Sequence, residues 1–263
     1  SAVWVKVPEL TSNTVIRAYW GLRAGGGLDY PATETWKDYL GVWHFSEESG
    51  NARDSSVNGY DTDNGGGTVS NANAKVGLSR DVISTAALNT GITNLADPQS
   101  AKPISDIARF AVSGWMHSTV DIASWPSFML KGLANPRAGW YVEFQKSPTS
   151  LAAVGSSNNG IIVTLPTSVY DNWIYLTVVF NDTTCSVYEN GSLVSQSTVG
   201  KVTNSNNVLK FAPSFTGRID EYRIHDGALS AAYVAADYAT QTDPDFLTFG
   251  EVNNNGGFMV ILR

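Results

Sequence analysis

The stretch of residues 215–238, FTGRIDEYRIHDGALSAAYVAADY, constrains the fold more than any other part of the sequence. Residues 216–225 alternate in the period-two pattern that is typical of a strand in a sheet. An Asp-Gly turn follows, and then Ser230, whose hydroxyl can accept a hydrogen bond from an unpaired amide of a first helical turn. The sequence therefore predicts a strand, a tight turn and a short helix that begins after Ser230.

Short strand patterns recur along the rest of the chain and are separated by turns rich in Gly, Asn and Ser. The dipeptide Asn190-Gly191 is the strongest hairpin signal, because both residue types tolerate the positive φ of a type I′ turn. On their own, these patterns predict an all-β sandwich or barrel.

Three motifs narrow this prediction. The pattern G-x-I-D-E-x-R-I-x-x-x-A-L-S fits residues 217–230, and W-H-F-x-E with D-S-S-x-N-G fits residues 43–59. Residues 110–115, FAVSGW, match F-T-V-S-x-W except for Ala111. Together they resemble the laminin-G-like domains of the concanavalin A-like lectin/glucanase superfamily, over roughly residues 40–250. The resemblance implies a two-sheet antiparallel jelly-roll sandwich with one short helix near the C-terminus.

The N-terminal part of the chain has a different character. Residues 1–21 contain two strand patterns and resemble the tail of a small β-domain of unknown function that precedes laminin-G-like modules in bacterial surface proteins. Residues 22–38 contain three successive glycines and a proline, which indicate a linker. We therefore expect residues 1–38 to form an N-terminal β segment and linker, and residues 39–263 to form the jelly-roll domain. Pairing of the first two strands with the main sheets is the alternative.

Composition excludes several function classes. The 24 acidic and 17 basic residues give a net charge of −7, which argues against nucleic-acid binding because a basic stripe is missing. No apolar run reaches the roughly 20 residues that span a bilayer. The single cysteine, Cys185, allows no intrachain disulfide and is expected in the core. The resemblance implies a secreted or cell-surface location within a longer chain.

The sequence predicts that this protein is not an enzyme. Glycoside hydrolysis needs two carboxylates roughly 5–10 Å apart across the scissile bond, and the Glu-x-Asp-x-x-Glu set of the glucanase relatives is absent. Asp220 and Glu221 are adjacent on one strand, so strict alternation would point them to opposite faces. His44 and His117 lie beside tryptophans in strand patterns, where we expect structural imidazoles.

Calcium is the metal that the sequence favours, because it prefers oxygen ligands. The turn-rich segment after the first domain strand is a place where the resemblance implies a structural calcium or a tight polar turn. The candidate ligands combine this segment with the late strand: Asp54, Asn58, Asp61, Asp63 and Asp220. The alternative is that the first four satisfy local amides in Asx turns, while Asp220 and Glu221 pair with Arg218 or Arg223.

Glycan binding is suggested by aromatic and polar residues in and near turn-rich segments. The apolar face of a sugar stacks on such rings, while amides and guanidinium groups bind its hydroxyls. The candidate residues are Trp125, Asn135, Arg137, Trp140 and Tyr141. The alternative is that the tryptophans plug the core, which we expect of Trp43, Trp115 and Trp173.

These observations predict a non-catalytic extracellular module that binds a carbohydrate or cell-surface ligand and is stabilised by calcium. The alternative is a structural spacer or adhesion domain of a large surface protein, with no sugar site, that contacts neighbouring domains. An exposed Trp125/Trp140 platform would favour the binding module, and burial of both rings would favour the spacer.

Overall fold

The computed structural model describes residues 4–11, 14–19, 32–63, 68–70, 74–85, 87–90, 96–97, 102–103, 109–134, 137–156, 159–200, 202, 207–253 and 257–262. Within these residues, the helices and strands in chain order are β1 (Val15–Tyr19), α1 (Ala32–Thr35), β2 (Tyr39–Trp43), β3 (Thr68–Ser70), β4 (Ser79–Val82), β5 (Leu88–Asn89), β6 (Ala96–Asp97), β7 (Lys102–Pro103), β8 (Arg109–Ser118), β9 (Ser127–Ala134), β10 (Arg137–Phe144), β11 (Ser150–Ser156), β12 (Asn159–Thr164), β13 (Ile174–Asn181), β14 (Thr184–Glu189), β15 (Ser192–Thr198), β16 (Lys210–Phe211), β17 (Gly217–Asp226), α2 (Ala231–Thr242), β18 (Leu247–Asn253) and β19 (Gly257–Leu262).

Two antiparallel sheets form the sandwich, which confirms the predicted fold class. The larger sheet has the strand order β15-β14-β13-β8-β17-β4-β3, and β2 also pairs with β17. The smaller sheet has the order β12-β11-β10-β9-β16-β5. No helix of the described residues is long and apolar enough to cross a membrane.

The core lies between the two sheets and is rich in aromatic rings. Trp140 of the smaller sheet packs against Phe110 of the larger sheet, with 5.2 Å between ring centroids. Trp43 packs edge-on against Phe211 at 4.7 Å. Cys185 is fully buried in the same core, as predicted, and burial raises the pKa of its thiol to about 12.

The helix α2 covers the outer face of the larger sheet and has the predicted N-cap. The Ser230 hydroxyl accepts a hydrogen bond from the Tyr233 amide at 3.2 Å. Trp115 is buried as expected, but it lies between the sheet and α2, where its indole nitrogen donates to Gln241 at 2.8 Å. Trp173 is only partly buried and contacts His117.

The strict alternation predicted for β17 is wrong at Glu221. Glu221 has a φ of 52°, and the pairing of β17 with β8 shifts register between Asp220 and Arg223. This β-bulge places Ile219 and Tyr222, three residues apart, in the same core. A Cβ at Gly114 on β8 would lie 2.4 Å from the Tyr222 ring, so only glycine fits opposite the bulge.

Because of the bulge, the carboxylates of Asp220 and Glu221 both lie on the outer face of the larger sheet. Asp220 pairs across strands with Trp115, and Glu221 binds Arg223 of the same strand at 2.9 Å. Both carboxylates are buried, with exposed fractions of 0% and 1%. The shared face therefore gives this pair no open cleft for a substrate.

Arg223 is the centre of a buried polar network on this outer face. Its guanidinium donates to Glu221 at 2.9 Å and to Asp237 of α2 at 2.7 Å. Glu221 also contacts His44 Nδ1 at 2.8 Å, and Asp237 accepts from the Tyr175 hydroxyl at 2.6 Å. Burial alone would lower the pKa of Arg223, but Asp237 and the other acidic neighbours raise it above its ordinary value.

Two tryptophans cover the Arg223 guanidinium. Its central carbon lies 4.4 Å from the ring centroid of Trp4 and 5.4 Å from that of Trp36. The Trp4 ring also stacks on His44, at 5.8 Å between centroids, and Lys6 forms an ion pair with Asp38. The segment of residues 4–11 is therefore seated on the sandwich.

The remaining strands form separate small sheets. β1 pairs with β19, and β19 pairs with β18, in a three-stranded antiparallel sheet that joins the two ends of the chain. The last two strands of the chain thus belong to this small sheet, in which β19 lies between β1 and β18. Of the predicted linker, residues 32–38 contain α1 and the buried Trp36. The division into two domains at residue 38 stays a prediction.

We expect Arg223→Met to lower the free energy of unfolding by about 3–5 kcal/mol, because it leaves two buried carboxylates without their cation. Chemical denaturation monitored by tryptophan fluorescence measures this change. The matched control is Arg218→Met, which breaks a partly exposed ion pair with Asp81 and should cost less than about 1 kcal/mol. Equal losses in the two variants would contradict a central role for Arg223.

Candidate functional site

One end of the sandwich carries a set of connected loops. β4, β8, β10, β12 and β16 end there, and β9, β11, β13 and β17 begin there, as the strand registers require. Backbone hydrogen bonds join the loops to one another: Lys146 donates to Ser124 at 3.0 Å, and Val169 donates to Pro148 at 3.0 Å. The end is therefore one continuous surface.

Trp125 is the most prominent side chain of this end. Its ring is 48% exposed, whereas Trp43, Trp115 and Trp140 are at most 1% exposed. The ammonium group of Lys146 lies 5.3 Å from its ring centroid, within the range of a cation–π interaction. Lys146 has a positive φ of 56°, and the hydrogen bond from its amide to the Ser124 carbonyl holds it beside the Trp125 loop.

Further apolar side chains are exposed at the same end. They are Ile83 after β4, Val120 after β8 and Tyr170 before β13, with exposed fractions of 53%, 47% and 45%. The Ser84 amide donates to the Thr216 hydroxyl at 3.0 Å, and the Thr119 amide donates to the Thr216 carbonyl at 3.3 Å, so Thr216 connects the loops after β4 and β8. We call Ile83, Val120, Trp125, Lys146 and Tyr170 the Trp125 surface.

The other predicted glycan residues do not join Trp125. Trp140 is fully buried in the core, so it cannot form a surface platform with Trp125. Tyr141 is 5% exposed and packs with Ala152 and Val154 on the opposite face of its sheet. The Trp125/Trp140 platform that the sequence suggested is therefore absent.

Arg137 belongs to the opposite end of the sandwich from Trp125. Trp125 precedes β9, and Arg137 begins the strand after it, so the eight residues of β9 separate the two. At about 3.3 Å per residue this is roughly 26 Å, too far for one small ligand. Asn135 lies outside the described residues, and Arg137 is described only as the first residue of β10.

The predicted calcium ligands of the opening loop are occupied by local hydrogen bonds. Asp54 Oδ1 accepts from the amides of Val42 and Ser56, both at 2.8 Å. Its Oδ2 accepts from the Ser56 hydroxyl at 2.7 Å and the Tyr60 amide at 2.9 Å. Asp61 accepts from the Asp54 amide at 2.9 Å. The Asx-turn alternative therefore describes this loop.

The other three predicted calcium ligands, Asn58, Asp63 and Asp220, also form hydrogen bonds within the protein. Asn58 donates to the Leu40 carbonyl at 2.9 Å, and Asp63 accepts from the Asn89 amide at 3.0 Å. Asp220 Oδ2 accepts from the amides of Lys75 and Val76, both at 2.9 Å, beside the point where β17 changes its partner from β4 to β2. Each contact takes the side chain to a different part of the structure.

These contacts favour the alternative of local hydrogen bonds, and the calcium set stays a prediction. Among the described residues, no group of three or more His, Cys, Asp or Glu side chains is placed to hold a metal ion. The ion pair predicted for Glu221 with Arg223 is present, whereas Asp220 binds amides instead of an arginine. Burial, and then the nearby Glu221, raise the pKa of Asp220 to about 8.

An open depression lies beside the opening loop. Its volume is roughly 600 Å³, and its lining includes Glu47, Glu48, Arg53 and Asp61. Glu47 accepts from the Arg53 amide at 2.9 Å and lies 3.7 Å from the buried Arg80. Two of the acidic groups here, Glu47 and Asp61, therefore already have basic or amide partners within the protein.

A family model described as the concanavalin A-like lectin/glucanases superfamily matches residues 92–235, which is more than half of the chain. The chain belongs to this superfamily. The match covers most strands of both sheets and the start of α2. No curated protein sequence matches this superfamily member, and the resemblance of residues 1–21 to a bacterial surface-protein domain stays a prediction.

Solved structures with the same fold include several binding domains. The binding domain of Paraclostridial Mosquitocidal Protein 1 is 14% identical, with a TM-score of 0.60 over 81% of this chain and 54% of that domain. The binding domain of botulinum neurotoxin serotype C1 is 12% identical, with a TM-score of 0.57 over the same shares. This superfamily member thus spans about half the length of those toxin domains.

One further solved structure is matched over nearly the whole of its own length. Domain 4 of AbnA, a GH43 extracellular arabinanase from Geobacillus stearothermophilus, was solved in complex with arabinotriose. It is 21% identical to this chain, with a TM-score of 0.56 over 77% of the chain and 98% of the domain. At these identities the likeness shows the shared fold.

Sequence reasoning found Trp125 but missed Lys146 and Tyr170. Both come from loops more than 15 residues away along the chain, so no local motif connects them with Trp125. Only the strand order, which brings successive loops to one end, places them together.

We expect Asp54→Ala to lower the free energy of unfolding by about 2–4 kcal/mol, because three amides and a hydroxyl lose their acceptor. Thermal or chemical unfolding measures this loss. Asp63→Ala, which removes one hydrogen bond from an exposed residue, is the control and should cost below about 1 kcal/mol.

We expect a chelator to leave the melting temperature of the protein unchanged, because hydrogen bonds close the opening loop. Differential scanning calorimetry with and without EDTA tests this expectation. A melting temperature that falls on chelation and is restored by calcium would show that a cation holds the fold.

We expect the stability of Asp220→Asn relative to the original protein to rise with pH. A carboxyl whose pKa is raised in the folded state stabilises the fold at low pH, and this contribution is lost as pH rises from about 4 towards about 8. The side-chain amide of the Asp220→Asn variant does not titrate, so its contribution to stability does not change over this pH range. Urea unfolding at pH 5 and pH 8 should give a variant whose stability relative to the original protein is higher at pH 8 than at pH 5. A variant that is equally destabilised at both values would show that the carboxylate is needed in its charged form.

Proposed function

We propose that this chain is a non-catalytic module of a secreted or cell-surface protein and binds a carbohydrate or another cell-surface ligand through the Trp125 surface. The half-exposed Trp125 carries the proposal. The chain buries three other tryptophans completely or almost completely, yet it leaves this ring in water at a loop end. A large exposed aromatic side chain among other exposed apolar groups is typical of an interaction site.

The chemistry of the Trp125 surface suits a sugar. An indole offers a flat apolar face on which the C–H groups of a sugar ring can stack, and it loses little conformational entropy on binding. Tyr170 adds a second half-exposed ring with a hydroxyl at the same end. The loops that carry them are bonded to each other and to rigid strands, so the surface is preorganised for binding.

The comparisons support this proposal at the level of the fold. The chain belongs to a superfamily that contains lectins and glucanases. Structures with the same fold include an arabinanase domain in complex with arabinotriose and the binding domains of bacterial toxins.

Burial of Trp140 and Tyr141 favours a second candidate. With these two rings inside the protein, the number of aromatic groups left for a ligand is smaller than the sequence suggested. The second candidate is a structural spacer or adhesion domain of a longer surface protein that contacts neighbouring domains. The two candidates differ in whether the isolated protein binds any glycan.

We expect Trp125→Ala to weaken glycan binding by roughly 30-fold, the effect of losing a contact of about 2 kcal/mol at the centre of an interface. The measurement is binding of the protein to an array of neutral and acidic polysaccharides, followed by calorimetry on the best ligand. Trp125→Phe should keep part of the affinity, because it keeps a flat ring.

The matched control is Ile162→Ala. Ile162 is 68% exposed on β12, on the outer face of the smaller sheet and away from the Trp125 surface. Loss of binding in this variant, with full binding in Trp125→Ala, would move the site to the outer face of that sheet. No binding to any glycan would leave the spacer as the function.

A further inference from the structure

We propose that the Trp125 surface prefers an acidic sugar, and that Lys146 binds the carboxylate of a uronic or sialic acid while the sugar ring stacks on Trp125. This inference rests on the proposed function, and it names the class of ligand. The observation that supports it is the position of the Lys146 ammonium group beside the exposed Trp125 ring.

The position of Lys146 is fixed by the backbone. Lys146 follows β10, and its amide donates to the Ser124 carbonyl, one residue before Trp125. Its left-handed conformation, with a φ of 56°, is uncommon for a residue with a side chain. The turn therefore brings the lysine stem back towards the indole, and the ammonium group lies 5.3 Å from the ring centroid.

The charge of Lys146 is not neutralised within the described part of the protein. Three other basic side chains near the surface have carboxylate partners: Lys6 pairs with Asp38, Arg109 with Asp182 and Arg218 with Asp81. Lys146 forms no ion pair there, although the chain carries a net charge of −7 and Asp121 lies in the Trp125 loop. An exposed ammonium held beside a ring without a counterion is complementary to an anionic ligand.

An acidic sugar matches both groups at once. A uronic acid presents a ring with an apolar C–H face and one carboxylate attached to that ring. If the ring stacks on the exposed part of Trp125, the flexible four-carbon stem of Lys146 can bring its ammonium to the carboxylate. A neutral sugar would use only the indole, and a small anion would use only the ammonium.

The experiment compares ligands that differ only in charge. The probes are oligogalacturonate, alginate oligosaccharide and sialyllactose, each against its methyl ester, with dextran sulfate as an anion that lacks carboxylates. Calorimetry or fluorescence titration at low salt measures the affinities of the original protein, Lys146→Gln and Trp125→Ala. The control is Lys37→Gln, which removes an exposed positive charge at the far end of β17.

We expect at least one acidic sugar to bind about fivefold more tightly than its ester, the upper range for one exposed ion pair. Lys146→Gln should bring this ratio to about one without changing ester binding, and Lys37→Gln should leave it unchanged. Trp125→Ala should weaken both the acid and the ester. Added salt should reduce the preference for the acid.

The outcomes separate this inference from the proposed function. Trp125-dependent binding of neutral sugars or esters with no acid preference would overturn the acidic-sugar inference and keep the carbohydrate site. Equal loss of acid and ester in Lys146→Gln would also overturn it, as would dextran sulfate binding as tightly as the acids through Lys146. No glycan binding at all would overturn both this inference and the proposed carbohydrate site.

Discussion

The buried guanidinium of Arg223 is the interaction on which the arrangement of this protein depends. It joins β17 to helix α2 through Asp237, to the end of β2 through Glu221 and His44, and to the N-terminal segment through Trp4. A buried cation is tolerated only when anions and aromatic faces surround it. The network therefore fixes which elements can cover the outer face of the larger sheet, whereas the apolar core between the sheets would accept many sequences.

The sequence allowed the fold to be predicted because its signals are local. The Ser230 N-cap, the Asn190-Gly191 turn and the alternation before and after the bulge are each properties of neighbouring residues. The bulge at Glu221 could not be seen in this way. It requires a glycine on another strand, Gly114, more than 100 residues away, which leaves room for the Tyr222 ring. The failed prediction for the carboxylates follows from that single extra residue.

The candidate site was harder to predict than the fold, for a related reason. Trp125, Trp140 and Tyr141 look alike in sequence, since each is an aromatic residue near a polar turn. Their roles depend on which face of β10 each ring takes and on which end of the sandwich each loop reaches. The acidic residues of the opening loop carried the same ambiguity, because a carboxylate that bonds amides and one that binds calcium use the same residue type. Only the partners of Asp54 and Asp220 distinguish the two.

The single thiol of Cys185 gives this protein a built-in reporter of its own fluctuations. The sulfur lies in the core on β14, in the larger sheet, and burial keeps its proton on at neutral pH. A thiol reagent can react only during excursions that separate this part of the sandwich and admit solvent. The rate of such labelling under native conditions therefore measures how often the larger sheet opens, without any engineered probe. A ligand that binds at the loop end and slows this labelling would reveal that the loops and the distant core open as one cooperative unit.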